Sequence, residues 1–217
     1  MTEAPSRATV LRLARYLRIL EKLKNLGLVK VFSNNLGDAV GVSAAAVRKD
    51  LATFGIQGNK RGGYSIETLI GRLNELLGKR SDQDVVLVGC GRIGSALLSY
   101  REFEKEGLRI VAGFDVDERL HRAGPPPVLP LERLEAFVRD RGIRIAIMAV
   151  PETAAQRVFE RLRAAGIEGV LNFAPSELKC STPECEEGCP DGCVVQNVNI
   201  GLELENLFYM VNLRPTS

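Results

Sequence analysis

The run Val85-Val86-Leu87-Val88-Gly89-Cys90-Gly91-Arg92-Ile93-Gly94 decides how the larger part of this 217-residue chain folds. Four apolar residues lead directly into G-x-G-x-x-G, and an amphipathic segment follows to about Glu106. Arg109 to Asp115 then reads as a second strand that ends in an acid, 21 residues past the third glycine. Strand, glycine loop, helix and terminal acid together form a dinucleotide-binding fingerprint. Gly89 suits the tight turn, Gly91 allows backbone to approach a pyrophosphate, and Gly94 allows the helix to pack close on the strand. The helix N-terminus offers unpaired N–H groups to phosphate. Within the loop, Cys90 reads either as a small packed residue or as a thiol activated at the helix start.

Working outward, strand–helix alternation continues. Strands fit Ile143–Val150 and Gly169–Phe173, and helices fit residues near 131–140 and 152–165. Apolar strands between helices predict a parallel sheet covered on both faces. Gly124-Pro125-Pro126-Pro127 reads as a stiff loop, and His121, the only histidine, as an exposed loop residue. The chain ends in a helix over Gly201–Leu213, with Leu204, Leu207, Phe208 and Val211 as a stripe.

Upstream the chemistry changes. Residues 1–80 hold 14 Lys/Arg against 6 Asp/Glu, whereas residues 81–217 hold 15 against 21. A basic small domain before an acidic larger one suggests that only the first meets a polyanion. Val10, Leu13, Leu17, Leu20 and Leu23 predict an amphipathic helix over 8–25. A short helix follows Ser33, Gly41-Val42 makes a turn, and Ser43 caps a third helix running to about Phe54. Two short helices joined by a glycine turn fit helix-turn-helix geometry. Val47, Leu51 and Phe54 should pack inward, leaving Ala45, Arg48, Lys49 and Ala52 outward. Small residues beside Arg and Lys suit a helix that enters a major groove. Gly55 to Tyr64 reads as a hairpin or wing carrying Lys60 and Arg61, Ile66 to Leu77 as a helix, and Gly78 to Asp84 as a linker. The fold class expected is α/β, with a winged helix-turn-helix domain (1–80), a Rossmann-like doubly wound parallel-sheet domain (81–198) and a C-terminal helix (199–217). Double-stranded DNA is the expected partner, through Ser43, Ala45, Arg48, Lys49, Lys60 and Arg61.

No apolar run reaches the length of a membrane span, and charges throughout Arg7 to Lys24 do not suit a signal peptide. A cytoplasmic setting without a membrane is expected. A dehydrogenase would share the glycine loop, but it needs a proton donor and substrate-binding groups that one loop histidine does not supply.

The runs Val47-Arg48-Lys49-Asp50-Leu51, Phe54-Gly55 and Arg61-Gly62-Gly63-Tyr64 resemble the Rex-type redox-sensing transcriptional repressors. The resemblance continues through Gly89–Gly94, Phe114-Asp115-Val116-Asp117, Val150-Pro151-Glu152 and Leu171-Asn172-Phe173-Ala174-Pro175. It implies a homodimer that holds a palindromic operator when NAD+ dominates and releases it as NADH rises, with the C-terminal helix swapped onto the partner. Carried over by position, Gly89, Cys90, Gly91, Arg92, Ile93 and Gly94 cradle pyrophosphate, and Asp115 takes the adenosine ribose, favouring NAD(H). Ala149, Val150 and Pro151 line the cleft, Asn172 and Phe173 lie toward nicotinamide, and Tyr100 lies near the cofactor. Arg18 and Tyr100 belong to the family's interdomain switch. Here the chain departs from the family: Asn199 stands where the pattern often has Asp, and it can accept a hydrogen bond but carries no charge. It also suits a helix cap.

A last feature is an addition to that pattern. Cys180, Cys185, Cys189 and Cys193 follow C-x4-C-x3-C-x3-C on a Gly/Pro-rich loop. Four thiolates fit an iron–sulfur cluster or zinc, and reversible disulfides or uninvolved thiols remain open. If the cluster is the main sensor, the nucleotide is structural.

Overall fold

In the computed structural model the described residues are 5–59, 62–79, 83–178 and 192–213. The chain divides into two compact units, Met1–Ser81 and Asp82–Ser217.

In the first unit, α1 spans Arg7–Asn25 and starts at Ser6, whose hydroxyl accepts from the Thr9 N–H. Its stripe buries Leu13, Leu17 and Leu20 as expected, and also Tyr16. Val10, at the exposed start of the helix, stays outside the core. α2 covers Ser33–Val40 and ends at Gly41, whose φ of +76° is the left-handed conformation that lets the chain turn into α3, Ala44–Thr53. α4, Ile66–Leu76, closes a core in which Leu36, Val47, Leu51, Ile66, Leu69 and Leu73 meet the α1 stripe. β1 (Lys30–Val31) pairs antiparallel with β2 (Tyr64–Ser65). Asn59 and Gly63 exchange both backbone hydrogen bonds, at 3.0 and 2.8 Å, so the segment read as a wing closes a hairpin. β1 escapes a sequence reading because two residues carry no alternation.

The second unit is a six-stranded parallel sheet: β3 (Gln83–Val88), β4 (Leu108–Asp115), β5 (Val128–Pro130), β6 (Ile145–Met148), β7 (Gly169–Asn172) and β8 (Val194–Asn197). Their order is β5-β4-β3-β6-β7-β8. In β3, Val86 and Val88 enter one apolar layer and Val85 and Leu87 the other. That is why the strand reads as a continuous apolar run. α7 (Leu134–Arg141) and α8 (Glu152–Ala164) pack on the first layer through Leu134, Val138, Val158, Phe159 and Leu162. Two expectations need correction. The segment to Glu106 is two helices, α5 (Arg92–Leu98) and α6 (Glu102–Lys105). The break falls where the Ser99 hydroxyl donates to the Ser95 carbonyl at 3.0 Å and competes with the helix ladder. The strand expected over Ile143–Val150 is confined to Ile145–Met148. The edge strands β5 and β8, which no sequence pattern marked, begin directly after the proline loop and the cysteine-rich loop.

α9, Ile200–Asn212, leaves every residue exposed in this single chain, including Leu204, Leu207, Phe208 and Val211. Among the described residues no helix is long and apolar enough to cross a membrane.

Candidate functional site

β3 and β6 are neighbours at the centre of the sheet, and the chain leaves β3 toward one edge and β6 toward the other. Their C-terminal ends therefore flank a topological switch point, where open α/β sheets bind ligands. The glycine loop sits there. The Gly89 N–H donates to the Phe114 carbonyl at 2.9 Å, and the Ala149 N–H donates to the Val88 carbonyl at 2.8 Å. Gly89 has φ +91°, and a Cβ on it would lie 2.5 Å from the Ala149 oxygen. A Cβ on Gly94 would lie 1.8 Å from the Gly89 oxygen, so α5 rests directly on the turn. Gly91 is the opposite case: a Cβ there meets nothing within 4 Å. Gly91, Arg92 and Ile93 are exposed at the start of α5, where the first-turn N–H groups of a helix have no intrahelical partner. A hydrogen bond that the sequence did not signal stiffens the loop, from the Ser95 hydroxyl to the Cys90 carbonyl at 2.6 Å.

Asp115 closes the other side. One carboxylate oxygen accepts from the Cys90 N–H at 2.6 Å and the other from the Asp117 N–H at 2.9 Å. A carboxylate has about four acceptor positions, so each oxygen keeps capacity for a further donor. Cys90 is buried, and burial pushes its thiol up to about 12, with the Asp115 charge adding to the effect. Of the two readings of Cys90, the packed thiol is the one seen. Gly113 is matched to it: a Cβ there would lie 2.7 Å from the Cys90 sulfur. His121 is half-buried rather than exposed, with Nε2 2.9 Å from the Asp115 carbonyl. Beyond the acid, Arg119 grips Asp117 through Nε at 2.9 Å and Nη2 at 2.8 Å. The Arg119 bonds hold the Asp117 carboxyl down at about 2.

The other residues of the cleft fall unequally. Ala149 is half-buried, Val150 enters the core, and Pro151 is exposed where α8 begins. Phe173 packs against the same apolar layer as Cys90 and Leu87, which brings it to the loop's side of the sheet. Asn172 is fully buried and its amide is committed to the chain. It donates to the Ser176 carbonyl and to Asn197 Oδ1, both at 2.8 Å, and accepts from the Ala174 N–H at 2.9 Å. It shapes the loop after β7 from behind. Tyr100 is exposed, with its ring edge-on to Phe103 at 5.0 Å. Asn199 is the N-cap of α9, accepting from the Leu202 N–H at 3.2 Å.

In the first unit, Ser43 caps α3 by accepting from the Ala46 N–H at 3.2 Å. Val47 and Leu51 are buried and Phe54 partly so, while Ala45, Arg48, Lys49 and Ala52 form an exposed face. Arg48 Nη1 donates to the Ser33 hydroxyl at 3.1 Å, beside a cavity of about 320 Å3 bordered by Phe32, Asn59 and Tyr64. The sequence did not single out Ser33, nor the carboxylate behind this face. Asp50 is 4% exposed and accepts from Arg12 Nε and Nη2, each at 2.7 Å, and from the Tyr16 hydroxyl at 2.9 Å. The Arg12 bonds hold the Asp50 carboxyl below the usual carboxylate range, and burial with the Asp50 bond pushes the Tyr16 phenol up to about 12. Arg18 lies on the exposed side of α1. Lys60 and Arg61 lie outside the described residues.

Cys180, Cys185 and Cys189 also lie outside the described residues. Cys193 is buried against the layer that includes Leu178 and Val170. Among the described residues no group of three His, Cys, Asp or Glu is arranged to hold a metal.

Residues 5–52 match the family described as "Putative DNA-binding protein N-terminus", and residues 80–176 match the CoA binding domain. Over 209 residues the chain is 40% identical to the redox-sensing transcriptional repressor Rex of Desulforamulus reducens, covering 95% of each. It is 39% identical over 208 residues to that of Carboxydothermus hydrogenoformans, covering 94% of this chain and 95% of the relative. It resembles the crystal structure of RSP in complex with β-NAD+ and operator DNA at TM-score 0.84 and 32% identity, covering 97% of this chain and 94% of that one. The β-NADH complex of RSP gives TM-score 0.78 at the same identity, covering 97% and 95%. The relatives are transcriptional repressors rather than enzymes. With 39–40% identity to them over nearly the whole chain, the winged helix and the glycine loop at the switch point, the chain belongs to the Rex family of redox-sensing transcriptional repressors.

Proposed function

We propose that this chain represses transcription by holding operator DNA through its first unit and yields that DNA when NADH replaces NAD+ in its second. The observation that carries the reading is the open Gly91 position at the switch point, in a chain that also presents the Arg48/Lys49 face. Gly89 through Gly94 would receive the pyrophosphate on backbone N–H groups, since a Cβ at Gly91 would occupy the space a phosphate needs. The remaining acceptor capacity of Asp115 suits two ribose hydroxyls, and its charge opposes a 2′-phosphate. Ala149, Val150 and Pro151 would border the cleft, and Phe173 would shield the nicotinamide end, with Tyr100 near it. The bound dinucleotide supplies the redox state, and no hydride needs to leave it. Ser43, Ala45, Arg48, Lys49, Lys60 and Arg61 would meet DNA.

The chain would act in the cytoplasm as a homodimer. α9 leaves Leu207, Phe208 and Val211 more than half exposed in a single chain, and a second copy would cover them. Arg18, Tyr100 and Asn199 would take part in switching, with Asn199 acting through hydrogen bonds because it has no charge. A second input is also proposed, from an iron–sulfur or zinc centre on Cys180, Cys185, Cys189 and Cys193. Its support is the spacing of four soft ligands, and anaerobic purification with iron and zinc quantitation tests it: four metal-free thiols would rule it out.

The main reading is tested with duplexes enriched by the NAD+-bound protein from a random library. NADH added to the complex should release the enriched duplex, whereas NAD+ should not. Retention in saturating NADH would refute it.

A further inference from the structure

Asp50 is the one buried charged residue among the described residues, and it sits in the middle of α3, next to Arg48 and Lys49. Its partner Arg12 is partly exposed, so the cost of desolvation falls mainly on the carboxylate. Ion pairs that bury charge are poor sources of stability, and apolar replacements of similar volume are often as stable. Their best-attested use is to fix one arrangement among several. α3 has such a need. It is ten residues long, and it reaches the core through Val47 and Leu51. Apolar contacts of that kind are not directional, so they fix the rotation of a short helix about its axis less sharply than oriented bonds do. The bonds to Asp50 are directional. Arg12 approaches as a planar fork with two bonds of 2.7 Å, and Tyr16, one helical turn further along α1, adds a third from a fully buried ring. The fork itself is braced, since Arg12 Nη2 also donates to Thr9 Oγ1 at 3.2 Å.

We propose that Asp50, held by Arg12 and Tyr16, sets the rotation of α3 and so acts as a positioning residue for sequence-specific DNA reading. The inference rests on the DNA-binding function proposed above. A base-reading side chain must arrive at one groove edge in one orientation, whereas a cation that only neutralises phosphate need not. Loss of the clamp therefore costs discrimination between sequences and leaves general DNA affinity in place.

The double substitution Arg12→Met with Asp50→Leu separates positioning from stability and keeps net charge constant. Full-length wild type and double variant are compared in saturating NAD+, on a duplex enriched by the wild type and on a scrambled duplex, at a temperature where circular dichroism shows both folded. The ratio of the two affinities should fall about tenfold or more, the size of one lost base contact. Affinity for the scrambled duplex and its salt dependence should stay within about twofold. An unchanged ratio in the folded double variant overturns the proposal and leaves the clamp purely structural. If the double variant does not fold, Tyr16→Phe removes one bond alone, and it should lower the ratio by roughly threefold; no change there overturns the proposal equally. If the wild type itself does not distinguish the two duplexes, the DNA-binding function fails instead.

Discussion

Gly91 and Gly94 are three residues apart in one loop, yet alanine should affect them in different ways. At Gly94 a Cβ would stand 1.8 Å from the Gly89 oxygen and 2.9 Å from its carbonyl carbon. Relief to an ordinary contact of about 3.4 Å needs a shift of about 1.6 Å between α5 and the turn, and overpacking of this kind costs about 1–3 kcal/mol. For a chain of this size that corresponds to a fall in Tm of roughly 2–12 °C. The same shift displaces the first-turn N–H groups, so NADH binding falls as well. At Gly91 a Cβ meets nothing within 4 Å. Gly91→Ala should leave Tm within about 2 °C, since a substitution without contacts changes stability by about 0.5 kcal/mol or less. Its cost should appear only with ligand. Keeping the pyrophosphate off even one charge-assisted hydrogen bond forfeits about 1.5–3 kcal/mol, a loss of roughly 10- to 150-fold in affinity. Thermal melts and calorimetric NADH titrations of both variants make the comparison. Gly91→Ala binding NADH within threefold of wild type would refute the placement of the pyrophosphate. A Gly94→Ala protein as stable as wild type would refute the packing argument.

Three further outcomes are expected. Wild type should bind NADH at least tenfold more tightly than NADPH, because Asp115 opposes a 2′-phosphate and Asp117 already engages the Arg119 guanidinium. Asp117→Ala should narrow that gap and Asp117→Ala with Arg119→Ala should restore it; equal wild-type affinities would reject the assignment. Phe208→Glu on the exposed α9 should move the chain from dimer to monomer in sedimentation equilibrium, and a dimer of undiminished stability would remove α9 from the interface. The Asp50 clamp should be visible in pH dependence. The folded carboxyl lies below its ordinary value of 3.8, so its stabilisation is full above pH 3.8 and lost as pH falls through the lowered value. The Tm advantage of wild type over Asp50→Asn should therefore shrink below pH 3.8, and a pH-independent gap would contradict it. At the alkaline end the raised Tyr16 phenol contributes fully below pH 10 and loses that contribution as pH rises through about 12.

The features legible in the sequence were those written in local pattern. The G-x-G-x-x-G loop announced its turn because a Cβ at Gly89 or Gly94 would collide with backbone. The α1 stripe and the Ser43 cap were equally plain. What escaped notice depended on partners distant in sequence. Nothing near Asp50 tells that Arg12 and Tyr16, more than thirty residues earlier, will bury its charge. The resemblance places Asn172 toward nicotinamide, and no local pattern shows that its amide is engaged by Ser176 and Asn197. β5 and β8 were hidden because edge strands of three and four residues carry too little alternation to outweigh neighbouring prolines and cysteines.

The central claim is that dinucleotide and operator are coupled through one protein, and reciprocal linkage tests it most directly. NADH affinity is measured calorimetrically with the enriched duplex absent and then saturating, and operator affinity is measured with NADH absent and then saturating. Linkage requires the two factors to be equal, and a useful coupling of about 1–3 kcal/mol makes each roughly 5- to 150-fold. The account predicts that the duplex weakens NADH binding by the factor by which NADH weakens duplex binding. NADH affinity that is the same with and without saturating operator would contradict it.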